Sequence, residues 1–244
     1  EEMCGFLDAV QARSQLLPAT TRPVIVLPSY NGARKLPVLT PLLALLLARE
    51  GFAVLLHGMR TEAQRVLASE VLQRLEVPVW ERMQPLAAGQ VAHVATEVLH
   101  PGLARLLAVR QVLGLRTPGH SLVKLLAPCA GPAVLVGSYT HPEYSGLMRD
   151  VLIARQMTGL LSRGLEGEVV CDPRRQPRYD AVWQGQAYCV AEQQAGTLAA
   201  VPGLPQAIDA QTTADYTRAV LAGQLPVPQA VAAQVAHITA LAQR

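Results

Sequence analysis

The side chains best placed for chemistry early in the chain lie in one short run, Pro28-Ser-Tyr-Asn-Gly-Ala-Arg-Lys35. Asn31-Gly32 marks a turn, and Arg34 and Lys35 follow with two charges suited to phosphate oxygens. Tyr30 has two readings, stacking on a nucleic-acid base or packing against the neighbouring helix. His57 carries acid–base chemistry, but no Asp, Ser or Cys stands near it in sequence, so it is expected to support its loop. Glu166 and Glu168 are spaced to chelate a cation, and are expected instead to be solvated carboxylates on a turn. Cys4, Cys129, Cys171 and Cys189 show neither C-x-x-C spacing nor a His at ligand distance, which predicts reduced thiols rather than zinc or a disulfide framework.

Regular elements must position these groups. Pro23-Val-Ile-Val-Leu27 is a β-branched apolar run that predicts a buried strand. Thr40-Pro41 reads as an N-cap followed by proline at the first helical position. Leu42 to Ala48 is apolar on every face, so the helix is expected to be buried, and Gly51 is placed to end it. Phe52 to Leu56 supplies the next strand, which His57-Gly58 leaves at a turn. Strand, loop, helix and strand make a βαβ unit whose first loop opens at the C-terminal end of its strand, where such sheets bind ligands.

This unit resembles the catalytic domain of anthranilate phosphoribosyltransferase, in the nucleoside phosphorylase and phosphoribosyltransferase family (glycosyl transferase family 3). Along the family pattern, the G-T-G-G-D diphosphate loop falls on Pro28 to Gly32. The N-x-S-T motif falls on Val38 to Pro41, and K-H-G-N-R on Leu56 to Arg60. A second block, His100-Pro101 through Val109-Arg110 and Leu113-Gly-Leu-Arg-Thr117, matches the family's H-P-x-M-K…V-R-x-x-L-G-x-R-T in spacing and identity. The resemblance implies an α/β fold with a central, mostly parallel sheet flanked by helices.

The departures from the pattern bear on function. A glycine-rich turn lets backbone N–H groups approach phosphate closely, yet only Gly32 remains, at the family's aspartate position. Val38 cannot replace the ligating Asn, Pro41 removes a donor, and Leu56 removes the lysine. The family's magnesium-holding acidic pair falls near Val169-Val170. These losses argue against phosphoribosyl diphosphate binding. The whole pattern resembles the YbiB-type paralogues of that enzyme, and this resemblance implies a dimeric nucleic-acid-binding protein with a basic groove and no transferase activity. It leaves a transferase of the same family with altered substrate as the alternative.

Charge placement offers a separate test. No acidic residue lies between Asp8 and Glu50, where Arg13, Arg22, Arg34, Lys35 and Arg49 give +5. None lies between Glu97 and Glu143, where Arg105, Arg110, Arg116 and Lys124 give +4, so the rest of the chain sums to −6 against a net +3. Segregation of this kind suits a phosphate-tracking groove. The expected partner is single-stranded DNA or RNA, contacted by Tyr30, Asn31, Arg34, Lys35, His57, Arg60, Arg105, Arg110, Arg116 and Lys124. No catalytic residue, cofactor or metal is expected. Arg110 matches the family's anthranilate-binding arginine, and Arg116 is either a phosphate contact or an anchor of its own loop. Asp172 to Arg178 reads as an exposed basic loop, an accessory phosphate contact or a plain connection.

With 244 residues, half of them apolar, the chain can bury one substantial core. It has no apolar run of membrane-spanning length and no leader pattern at its start, which gives a cytoplasmic expectation. Residues 1–17 resemble the last helix of a truncated N-terminal helical domain, whose missing part would supply a homodimer contact in the full-length protein. Residues 18–244 form the α/β domain. Its helical tail is predicted over Thr213 to Leu221 and Val227 to Ala242, after a break at Val201-Pro-Gly-Leu-Pro205.

Overall fold

The structure, a computed structural model, describes residues 1–244. Eight strands form one sheet: β1 (Val24–Pro28), β2 (Val54–Gly58), β3 (Val79–Trp80), β4 (Val91–Ala95), β5 (Ala133–Tyr139), β6 (Thr158–Arg163), β7 (Tyr179–Trp183) and β8 (Gln186–Ala191). Their order is β3-β4-β2-β1-β5-β6-β7-β8. The first six are parallel, and β7 and β8 extend the sheet antiparallel. The α/β architecture read from the sequence is therefore present.

Parallel strands are covered on both faces, which explains their unbroken apolar runs. Ile25 and Leu27 of β1 enter the larger core, beneath α2 (Thr40–Arg49), α3 (Ala68–Arg74), α8 (Ala210–Leu221) and α9 (Gln229–Ala242). Val24 and Val26 enter the opposite core, which holds Leu7 of α1 (Glu2–Gln11), Leu122 of α6 (Gly119–Leu122) and Met148 of α7 (Glu143–Ala154). Leu99 of α4 (Thr96–Leu99) and Leu103 and Leu107 of α5 (Pro101–Leu113) form a third, smaller cluster with Val10, Tyr30, Val123 and Leu126. The matched sequence block is a capped helix. His100 accepts from Leu103 N at 3.0 Å, Pro101 takes the first helical position, and Gly114 closes α5 at φ 70°.

Two local expectations are corrected. His57 and Gly58 lie inside β2, whereas Phe52 belongs to the exit of α2, its N–H returning to Leu47 O at 3.3 Å. Thr40 is the first residue of α2 rather than its cap, and its hydroxyl turns away from the helix to a glutamate.

From β1 the chain moves to β2 on one side, and after β4 it crosses to β5 on the other. The crevice beyond the C-terminal ends of β1 and β5 is thus the topological switch point, the usual ligand position in such sheets. Two glycines bring the loops together there. A Cβ on Gly58 would collide with the Ser29 carbonyl, and one on Gly164 with the Glu168 carbonyl.

Candidate nucleic-acid interface

The loop after β1 is built around two carboxylates contributed by the turn after β6. Glu168 is fully buried, and its Oε1 accepts from Asn31 N at 2.8 Å and Gly32 N at 2.7 Å. Its Oε2 accepts from Ser29 Oγ at 2.5 Å and Thr40 Oγ1 at 3.0 Å. Glu166 Oε1 accepts from the next two free amides, Arg34 N at 3.1 Å and Lys35 N at 2.8 Å. Successive backbone N–H groups with neighbouring hydroxyls form the kind of concavity that binds phosphate. In this chain its donors are directed at the protein's own carboxylates. The expectation of solvated glutamates is corrected: burial of Glu168 is matched by four donors, as a buried charge requires.

The turn carrying these glutamates is itself braced. Gly167 O accepts from Lys124 Nζ at 2.7 Å and from Ser138 Oγ at 2.9 Å. Asn31 Nδ2 donates to Glu166 O at 2.9 Å. Glu166 adopts φ 52°, a left-handed conformation that costs a non-glycine residue about 1 kcal/mol or more, and its bonds to the loop hold it there. Burial pulls the Lys124 ammonium down to about 8, with the nearby Glu168 opposing that fall.

Tyr30 and His57 form a second buried unit. His57 Nε2 donates to Leu126 O at 2.9 Å, so Nδ1 accepts from Tyr30 Oη at 2.8 Å. Thr96 Oγ1 then donates to Tyr30 Oη at 3.1 Å. Burial, partly offset by the Leu126 carbonyl, takes the imidazole down to about 4 and leaves it neutral at pH 7. Of the two readings of Tyr30, the structure has the packed one; the ring is withdrawn from any stacking surface.

At the mouth of the cleft three guanidinium groups share one carboxylate. Glu62 accepts from Arg65 Nε at 2.6 Å, Arg110 Nη2 at 2.7 Å and Arg116 Nη2 at 2.9 Å. Burial alone would raise its carboxyl, but these three arginines outweigh it and hold the group down to about 2. Arg65 also reaches Glu166 Oε2 at 3.4 Å and so joins the two carboxylate clusters. Arg110 Nη1 is buried without a partner. Sequence reasoning missed Arg65 and Glu62, which lie outside both the matched blocks and the acid-free stretches, and it read Glu166 and Glu168 as solvated carboxylates because nothing local in sequence shows the donors that reach them.

The predicted contacts therefore separate. Arg34 is 58 % exposed with only a 3.9 Å approach to Glu166, and Lys35 and Arg105 are exposed. Arg110 and Arg116 converge on Glu62. Arg60 instead braces its own loop through the carbonyls of Glu62, Ala63 and Arg65, and pairs with Glu70 at 2.7 Å. Tyr30, Asn31 and Lys124 are buried supports, and their expected contact role is corrected accordingly; His57 is also buried and unable to act as a contact, which leaves the supporting role expected of it. In the 172–178 loop, Arg174 pairs with Asp172 inside the loop, and Arg178 pairs with Asp180 of β7 and with Glu192 just after β8.

No known family profile matches the chain. It is 36 % identical over 242 residues to the uncharacterized protein YbiB of Escherichia coli (strain K12), spanning 96 % of this chain and 75 % of that one. It is 29 % identical over 171 residues to anthranilate phosphoribosyltransferase of Thermus thermophilus, across 67 % of this chain and about half (51 %) of the enzyme. The solved structure of a Thermus thermophilus anthranilate phosphoribosyltransferase matches the fold with a TM-score of 0.72 at 23 % identity, over 99 % of this chain and 73 % of that one. The Saccharomyces cerevisiae enzyme solved with PRPP and Mg gives 0.70 at 14 % identity, over 99 % and 70 %. Sequence and architecture agree, and the chain belongs to the YbiB-type family of anthranilate phosphoribosyltransferase paralogues.

Proposed function

We propose that this chain is a non-catalytic protein that grips the phosphates of single-stranded DNA or RNA at the mouth of a cleft derived from a phosphoribosyltransferase site. The observation that carries the reading is the surplus of cations around Glu62. Arg34, Arg65, Arg110 and Arg116 are ion-paired only with Glu62 and Glu166; with the exposed Lys35, whose N–H also bonds Glu166, the cluster carries a net charge of +3, and Arg110 Nη1 has no partner. Arginine offers phosphate a planar fork of donors, and clustered arginines at a cleft mouth concentrate a polyanion. The seating of Glu168 in the loop supports the non-catalytic half, since a diphosphate would have to displace a carboxylate that already has four donors.

Fluorescence anisotropy with a labelled single strand tests the reading. Binding is expected at low salt and weaker binding at moderate salt, whereas calorimetry with phosphoribosyl diphosphate and magnesium is expected to give no heat of binding. No complex at low salt would sink the proposal. Magnesium-dependent binding of phosphoribosyl diphosphate would establish the transferase alternative.

A further inference from the structure

The switch-point crevice is filled by Asn31 and the 166–168 turn, and an open concavity lies to one side of it. A Cβ on Gly167 would meet Asn31 and Thr140, which puts Thr140 at the boundary between the filled crevice and a cavity of about 430 Å³ under α6 and the start of α7. That volume falls within the range of small-molecule sites. Its lining combines an apolar floor, which includes Leu122 and Met148, with the hydroxyls of Thr117, Ser121 and Thr140.

Two side chains make this cavity more than a gap between helices. Tyr144 is 41 % exposed and Leu147 47 % exposed, yet both line the same concavity. Scattered surface hydrophobes need no explanation, but two facing one pocket with a polar rim fit an aromatic guest. Tyr144 is held in place at the first turn of α7, its N–H bonded to His141 O at 3.1 Å, with the His141 ring 6.3 Å away and tilted by 60°. The rim includes Arg116, which also belongs to the Glu62 cluster. A group entering the pocket while its attached phosphate stays at Arg116 would be a nucleotide of a bound strand.

We infer that this cavity is a nucleobase site: one unstacked base of a single strand lies against Tyr144, with Leu147 beside it and its phosphate at Arg116. The inference rests on the nucleic-acid reading above and adds to it the stacking surface that the buried Tyr30 does not provide. Stacking on an aromatic ring tolerates any base, so little sequence preference follows.

The test compares a labelled oligothymidylate with an abasic oligomer of the same length. The wild-type chain is expected to bind the oligothymidylate more tightly than the abasic strand. Tyr144→Ala should weaken the oligothymidylate by about 5- to 150-fold, the span expected for loss of one base–aromatic stack. It should leave the abasic strand and the salt dependence unchanged. Tyr144→Phe should bind like wild type, and Leu147→Glu should lose affinity for the base-bearing strand as Tyr144→Ala does. Both positions are exposed enough for folded variants, which circular dichroism would verify. If wild type binds the oligothymidylate and Tyr144→Ala binds it equally, or loses both strands alike, the base site is wrong while the phosphate-gripping reading stands. If wild type binds neither strand, both fall together.

Discussion

Glu168 settles what the loop after β1 does. Ser29, Asn31, Gly32 and Thr40 all direct donors at its carboxylate, and truncating it would leave those donors in a buried space with no acceptor. Removal of one partner from a buried charged network costs about 3–5 kcal/mol. Glu168→Ala is therefore expected to lose stability on that scale in urea unfolding, with Glu168→Gln intermediate because it retains one carbonyl acceptor. A loss below about 1 kcal/mol would mean that water replaces the carboxylate and that the loop does not depend on it. The sequence showed the missing glycines, lysine and acidic pair clearly, since each is a side-chain identity at a fixed motif position. It did not show where the remaining donors went, because their acceptor lies 136 residues from Gly32, and only the adjacency of β1 and β6 around β5 brings the two loops together.

At the level of elements, the β1–α2–β2 unit was legible because its apolar runs are bounded by proline and glycine. The boundaries shifted where a residue type misleads. Phe52 has strand-like chemistry but closes the helix exit, and His57 has loop-like chemistry but sits in a central strand with both ring nitrogens bonded. Its neighbour across the ladder is also unusual: His93 of β4 pairs with Leu56, one residue away in register, and burial takes it down to about 4 as well. Both imidazoles are neutral in the folded sheet, while the unfolded chain protonates them near their ordinary value of 6.5. Between pH 6.5 and 4 the unfolded state thus binds more protons, and stability falls as pH falls. The slope is about 1.4 kcal/mol per pH unit for each imidazole. Urea midpoints across this window should show the decline, and His57→Gln should remove one imidazole's share of it. A flat wild-type profile would contradict two buried neutral histidines.

Across the whole molecule, the sequence pattern of charge and its arrangement in space give different answers. Counted along the chain, the two acid-free stretches offer +9. In the fold, Glu62 and Glu166 come from outside those stretches and pair with Arg110, Arg116 and Arg34, while Lys124 is buried. Linear segregation therefore overstated the groove, because it could not include acids that enter from other loops. At the cleft mouth, with Arg65 counted in, the balance is the net +3 around Glu62 and Glu166. Each neutralised phosphate of a single strand contributes about −0.7 to the slope of log K against log salt, so three or four contacts predict a slope of about −2 to −3. Nine contacts would give about −6. Charge reversal of Arg34 and Lys35 to glutamate should lower affinity equally on all sequences and reduce the slope by about 1.4 or more. Anisotropy titrations over a range of salt distinguish these cases. A slope near about −6 would mean that the internal ion pairs open to receive the strand, and a slope unchanged by the double reversal would move the phosphate track away from the loop after β1.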